Sequence, residues 1–131
     1  MNRLRTRVLL IDDSPSSLVW QLVLLQEENY DTLTANCTTE GVRIARTERP
    51  DLAILDATTR HKEVVAAATA LRTEQLTSDI PILVVVGRRA RAAADFSPIS
   101  DDQIDKPLDR AEYLHKIRQL LGRRRHGSVR H

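Results

Sequence analysis

Short aliphatic runs alternate along this chain with longer stretches in which apolar residues recur every three or four positions. Val8 to Ile11, Thr32 to Ala35, Leu52 to Leu55 and Ile82 to Val86 predict four strands, and Gln103 to Asp105 predicts a shorter fifth. Three of these runs lack polar alternation, as expected of strands covered on both faces. Between them, Ser14-Pro15 offers an N-cap and a first-turn proline to a helix with Leu18, Leu22 and Leu25 on one face. A second helix is predicted from Thr38 to Glu48, stopping before Pro50, and an alanine-rich third from Glu63 to Gln75. Asp109 and Glu112 give a D-x-x-E start to the last helix, which keeps Leu114, Ile117 and Leu121 at inward spacing. The fourth helix is weak. Between Gly87 and Asp102 only Phe96 and Ile99 are large and apolar, so this segment is expected to be mobile unless a partner orders it. Five βα units of this kind predict an α/β fold, a doubly wound five-stranded parallel sheet.

At 131 residues and 41% hydrophobic content the chain suits one domain with one core. That domain is expected over residues 1–122, with the arginine-rich segment 87–102 inside it and residues 123–131 as a flexible basic tail. No apolar run approaches a membrane span, and MNRLRTR leads straight into a strand pattern without a signal-peptide core, so a soluble, cytoplasmic protein is expected. Cys37 is the only cysteine and is expected as a small buried core thiol; with four scattered histidines it makes no zinc spacing. The net charge of +2 is modest, but the basic residues are nearly all arginine, the exceptions being Lys62, Lys106 and Lys116. Arginine presents a planar fork for phosphates and guanine edges, where lysine presents a point charge.

In an open parallel sheet, the loops after the carboxyl ends of the strands form the ligand crevice. Asp12 and Asp13 follow the first strand, Asp56 ends the third and Lys106 follows the fifth, so three carboxylates and one ammonium are expected to converge. A hard divalent cation such as Mg²⁺, held by oxygens, would neutralise such a cluster and leave positions for phosphoryl oxygens.

The motifs VLLIDDS, DLAILD, PILVVV and DKP, at their spacing over nearly the whole chain, resemble the CheY-like receiver domains of bacterial response regulators. The resemblance implies a flavodoxin-like sheet of order 2-1-3-4-5. It also implies that Asp13, Asp56 and the carbonyl of Thr58 bind Mg²⁺ with help from Asp12, that Asp56 accepts a phosphoryl group, that Lys106 pairs with it, and that a histidine kinase is the donor. The chain departs from the family at several places. Val86 stands where Thr or Ser is usual and cannot hydrogen-bond a phosphoryl oxygen; Gln103 replaces an aromatic, and Arg60 and Val64 replace Pro and Gly after the acceptor.

Beside the lost Thr position the chain carries GRRARAAADFSPISD. Arg88, Arg89 and Arg91 offer forks to guanine and phosphate, Asp95 an acceptor for guanine N1 and N2 hydrogens, and Phe96 a stacking surface. The segment resembles the arginine-rich insertion of the Cle group, CheY-like proteins that bind cyclic di-GMP. That likeness implies a second-messenger effector acting on a flagellar motor switch protein or on surface attachment. The alternative is a response regulator phosphorylated at Asp56 in a two-component phosphorelay. A nucleic-acid binder ranks last, because 3% aromatic residues leave few stacking platforms. No independent catalytic set is recognisable, and an enzyme is not expected.

Overall fold

Aliphatic runs with no polar face can satisfy their backbones and bury both sides only inside a covered sheet. In the computed structural model, which describes residues 5–129, they do so as β1 (Arg7–Ile11), β2 (Asp31–Ala35), β3 (Leu52–Ala57), β4 (Ile82–Val86) and β5 (Asp102–Asp105). All neighbours pair in parallel, in the order β2-β1-β3-β4-β5. The crossovers are α1 (Pro15–Glu27), α2 (Thr38–Glu48), α3 (His61–Thr73) and α4 (Arg88–Ala93), and α5 (Arg110–Val129) closes the fold.

Strand side chains alternate between the two faces, and each face builds its own core. Leu9, Ile11, Leu55, Ile82 and Val84 pack with Val42, Ala45, Val64 and Leu71 under α2 and α3. Val8, Leu10, Ile54, Leu83 and Val85 pack with Leu24, Leu25, Tyr113, Ile117 and Leu121 under α1 and α5. Helix α2 approaches β1 closely enough that a Cβ on Gly41 would lie 2.2 Å from Cδ1 of Ile11.

Local signals behave unevenly. The Asp109 carboxylate accepts the Glu112 N–H at 2.9 Å, capping α5. Ser14 stands at the N-cap of α1 with Pro15 after it, but its hydroxyl makes no cap bond; its N–H donates instead to Asp12 Oδ1 at 3.0 Å. The inward face of α1 is Gln21, Leu24 and Leu25, with Leu18 and Leu22 only half-buried. A polar side chain has taken the position under the strand ends because hydrogen-bond partners await it there. Cys37 is exposed, contrary to the core-thiol expectation, because it is the N-cap of α2 at the open end of the sheet.

The fourth helix is six residues long, yet its segment buries more than its two large apolar residues suggest. Ala90 is fully buried and Phe96 is 1% exposed, with Ala94 and Ile99 packed against the same core. Alanine lets the helix sit close to the sheet, so the segment is anchored where mobility was expected. Helix α5 carries on to Val129 through most of the stretch assigned to a tail, because arginine is a good helix former and an existing helix extends without new nucleation. The last two residues of that stretch, 130 and 131, lie outside the described residues, as do residues 1–4 of MNRLRTR. Among the described residues, no helix is long and apolar enough to cross a membrane.

Candidate functional site

Three strands bring their carboxyl ends together at one end of the sheet. Asp12 follows β1, its N–H bound to Ala35 O of β2 at 3.0 Å; Asp56 lies near the end of β3; and Lys106 follows β5, its N–H bound to Val86 O at 3.0 Å. The Lys106 Nζ stands 3.0 Å from Asp56 Oδ2 and 3.1 Å from Ser17 Oγ. The Asp56 side chain is 1% exposed and fully bonded: Oδ1 accepts the Thr58 N–H at 3.0 Å and the Thr58 hydroxyl at 2.5 Å. Its Oδ2 also accepts Gln21 Nε2 at 3.1 Å and the Ser17 hydroxyl at 3.3 Å.

Asp12 is buried beside it, accepting Ser14 N–H on Oδ1 and Gln21 Nε2 on Oδ2 at 3.1 Å. Burial pushes the Asp12 carboxyl above its ordinary value, and the Asp56 charge pushes the same way; bonds from Ser17 and Ser14 and the Lys106 charge oppose them. A raised carboxyl holds its proton more tightly in the folded chain than in the unfolded one. Its stabilising contribution is therefore complete below 3.8, the ordinary value, and is lost as pH rises through the folded value. Asp12→Asn is expected to be more stable than the wild type by a margin that grows with pH in this range, read from urea midpoints; a margin independent of pH would refute the account.

Asp13 faces elsewhere. Its carboxylate accepts the Thr59 hydroxyl at 3.0 Å and pairs with Arg60 Nε at 3.0 Å, while Arg60 also reaches Glu63. Among the described residues, no three Asp, Glu, His or Cys side chains stand in a ready-made metal cluster. The Asp13 and Asp56 carboxylates nevertheless offer oxygen ligands, the chemistry that suits Mg²⁺, to a cavity of about 280 Å³ that is also lined by Cys37, Arg60 and Glu63. Asp13 must leave Arg60 to join such a set, so the guanidinium competes with a cation. Arg60 is largely exposed, and an exposed pair is worth roughly 0.2–1 kcal/mol, which is at most about a five-fold effect. Arg60→Ala is expected to tighten Mg²⁺ binding by about two- to five-fold in a calorimetric titration; unchanged affinity would mean that Asp13 is not contested.

The arginine segment is not assembled as a guanine site. Phe96, expected to stack a base, is in the core. Asp95 is spent on a local turn, where the Ser97 N–H, with the Ser97 side chain, holds its carboxyl below the usual range. Arg91 pairs with Asp105, and Arg88 and Arg89 remain exposed. Val86 is buried, and the Gln103 amide reaches Ser97 Oγ at 3.2 Å.

Sequence reasoning passed over Ser17 and Gln21 in the acidic site, and Tyr113 behind Gln21. The Tyr113 hydroxyl is 2.7 Å from Gln21 Oε1, so a path of bonds runs from Asp56 into α5. The available signal was Gln21 itself, a polar residue at i+3 from Leu18 and i−4 from Leu25 on an otherwise apolar stripe.

Comparison with known proteins follows the same lines. The family described as response regulator receiver domain matches residues 8–118. The chain is 26% identical over 117 residues to Protein PilH of Pseudomonas aeruginosa, covering 88% of this chain and 97% of PilH. It is 31% identical over 119 residues to the DNA-binding dual master transcriptional regulator RpaA of Synechocystis, covering 89% of this chain and 49% of RpaA. The chain thus spans about half of RpaA and nearly all of PilH. A CheY-like response regulator receiver domain protein from Methanospirillum hungatei superposes with a TM-score of 0.80 at 21% identity, covering 94% of this chain and 98% of that one. The receiver domain of sensor histidine kinase PA1611 from Pseudomonas aeruginosa, solved with a magnesium ion coordinated in its active-site cleft, superposes with a TM-score of 0.79 at 20% identity, covering 90% and 98%.

Proposed function

Since this chain belongs to the response regulator receiver domain family, we propose that it acts in two-component signalling as a phosphoacceptor, with Asp56 the acceptor and a cytoplasmic histidine kinase the donor. The observation that supports this most is the Lys106 ammonium 3.0 Å from Oδ2 of a buried Asp56, at the mouth of an open cavity. A carboxylate oxygen of Asp56 attacks phosphorus, the P–N bond of the phosphohistidine breaks, and its electron pair returns to the imidazole nitrogen. Lys106 pairs with the charge brought in, and the Thr58 N–H and hydroxyl orient the carboxylate. Asp12, Asp13, Asp56 and the carbonyl of Thr58 would hold Mg²⁺, which when bound offsets the charge of the phosphoryl oxygens.

The direct test is incubation with acetyl phosphate and Mg²⁺ followed by intact-protein mass spectrometry. One added phosphoryl group, absent in Asp56→Asn, is the expected result; an unmodified wild-type chain would end the proposal.

The effector reading has less behind it. With Phe96 in the core and Asp95 held in a turn, cyclic di-GMP keeps only Arg88, Arg89 and Arg91 as contacts, and Arg91 must first leave Asp105. Calorimetric titration with cyclic di-GMP, with GTP as control, is expected to give no selective saturable heat. Micromolar binding lost in Arg88→Ala with Arg91→Ala would reinstate the second messenger, and with it a flagellar motor switch protein or surface-attachment partner.

A further inference from the structure

We propose that Gln21 and Tyr113 form a buried relay through which occupancy of Asp56 is read at the α1–α5 face, where Trp20 lies; the inference rests on Asp56 being the acceptor. Gln21 and Tyr113 are each fully buried, and among the described residues no buried side-chain polar atom lacks a partner. The path has three groups and two bonds. The Tyr113 hydroxyl donates to Gln21 Oε1 at 2.7 Å, and Gln21 Nε2 donates to Asp56 Oδ2 at 3.1 Å.

Its polarity is fixed by chemistry. Burial, and then the charges of Asp56 and Asp12, push the Tyr113 phenol far above its ordinary value, so it keeps its proton and donates. The only acceptor on a glutamine side chain is Oε1, which sets the amide with Nε2 toward the carboxylates. Flipping it would face Oε1 to two carboxylates. One amide nitrogen with two hydrogens then serves three acceptors, Asp12 Oδ2 at 3.1 Å, Asp56 Oδ2 at 3.1 Å and Ser17 Oγ at 3.3 Å. It cannot satisfy all three fully.

A phosphoryl group on Asp56 changes the charge and the space at that carboxylate, so the amide must redistribute between Asp12 and Asp56. Tyr113 has to follow, because an unpaired donor in a dry site is costly. The Tyr113 ring packs against Trp20 at a centroid distance of 6.4 Å and a tilt of 49°. Trp20 is 43% exposed on α1, between Val19 and Val23, which are also exposed. This route leaves the acidic site on the opposite side of the sheet from α4, and it needs neither a hydroxyl at Val86 nor an aromatic at Gln103.

Trp20 is the only tryptophan and reports the event directly. In the wild type, acetyl phosphate with Mg²⁺ is expected to change Trp20 emission. Tyr113→Phe, which deletes one hydroxyl and keeps the ring, should still gain a phosphoryl group by mass but lose the emission change. An unaltered emission change in phosphorylated Tyr113→Phe overturns the relay and leaves the phosphoacceptor intact. A wild type that gains no mass overturns the phosphoacceptor instead, and the relay is then judged on Asp56→Asn without any phosphodonor. Asp56→Asn should shift Trp20 emission in the wild-type background and not in Tyr113→Phe or Gln21→Leu. An equal shift in all three backgrounds removes the relay.

Discussion

Phe96→Ala is expected to destabilise the domain by about 3–5 kcal/mol, a large share of the roughly 5–15 kcal/mol that holds a domain of this size together. The side chain is 1% exposed and packed in the core under α2 and α3, so truncation loses its transfer free energy and leaves a cavity that rigid β-strands cannot close. Its backbone adds to the constraint. The Phe96 carbonyl accepts Ile99 N–H at 3.1 Å, Ser100 N–H at 3.0 Å and the Ser100 hydroxyl at 2.7 Å, so the turn cannot slide to refill the space. Phe96→Leu, which keeps most of the volume, is expected to cost about 1.5 kcal/mol or less. Urea denaturation with unchanged slope and a lowered midpoint is the measurement. A ring presented to solvent for a ligand would cost almost nothing to remove, so a Phe96→Ala protein as stable as the wild type would restore the stacking role.

The same residue marks where the sequence stops being legible. Strand runs such as Ile82 to Val86 declare themselves because a strand covered on both faces has no polar positions to hide its period. The Asp109 cap is equally plain, since capping is a local bond between residues three apart. Around Phe96 the anchor is Ala90, and alanine reads the same in a solvated helix as in a tight helix–sheet contact. Counting large apolar residues therefore underestimated what the segment buries. Topology explains why Asp12, Asp56 and Lys106 meet, because each lies at or just beyond the carboxyl end of a parallel strand. It does not say which way a side chain turns. Asp13 adjoins Asp12 in the chain, yet it turns to Thr59 and Arg60, and only distances across the fold reveal the competition. Gln21 failed to register for a different reason. A search for apolar periodicity passes over a polar residue on the stripe, although such a residue, once buried, must have found partners.

Lys106→Met is expected to cost about 2–3 kcal/mol and to make stability strongly dependent on Mg²⁺. Removing one partner of a buried ion pair typically costs roughly 3–5 kcal/mol; the figure is discounted because the Lys106 side chain is 23% exposed and water already screens part of the attraction. What remains around Asp56 is neutral: the Thr58 N–H and hydroxyl, the Gln21 amide and the Ser17 hydroxyl. Asp12 stands beside it with its charged form already disfavoured by burial, so two acids would share one buried site without a cation. Asp56→Asn in the Lys106→Met background should recover most of the loss, because the amide needs no counter-charge. A divalent cation supplies the missing charge from the solvent side, so the gain in urea midpoint on adding Mg²⁺ should be larger in Lys106→Met than in the wild type. Equal gains would mean that Lys106 and the cation do not answer the same carboxylate. The comparison thus tests whether the Lys106 ammonium already balances the Asp56 charge in the folded domain.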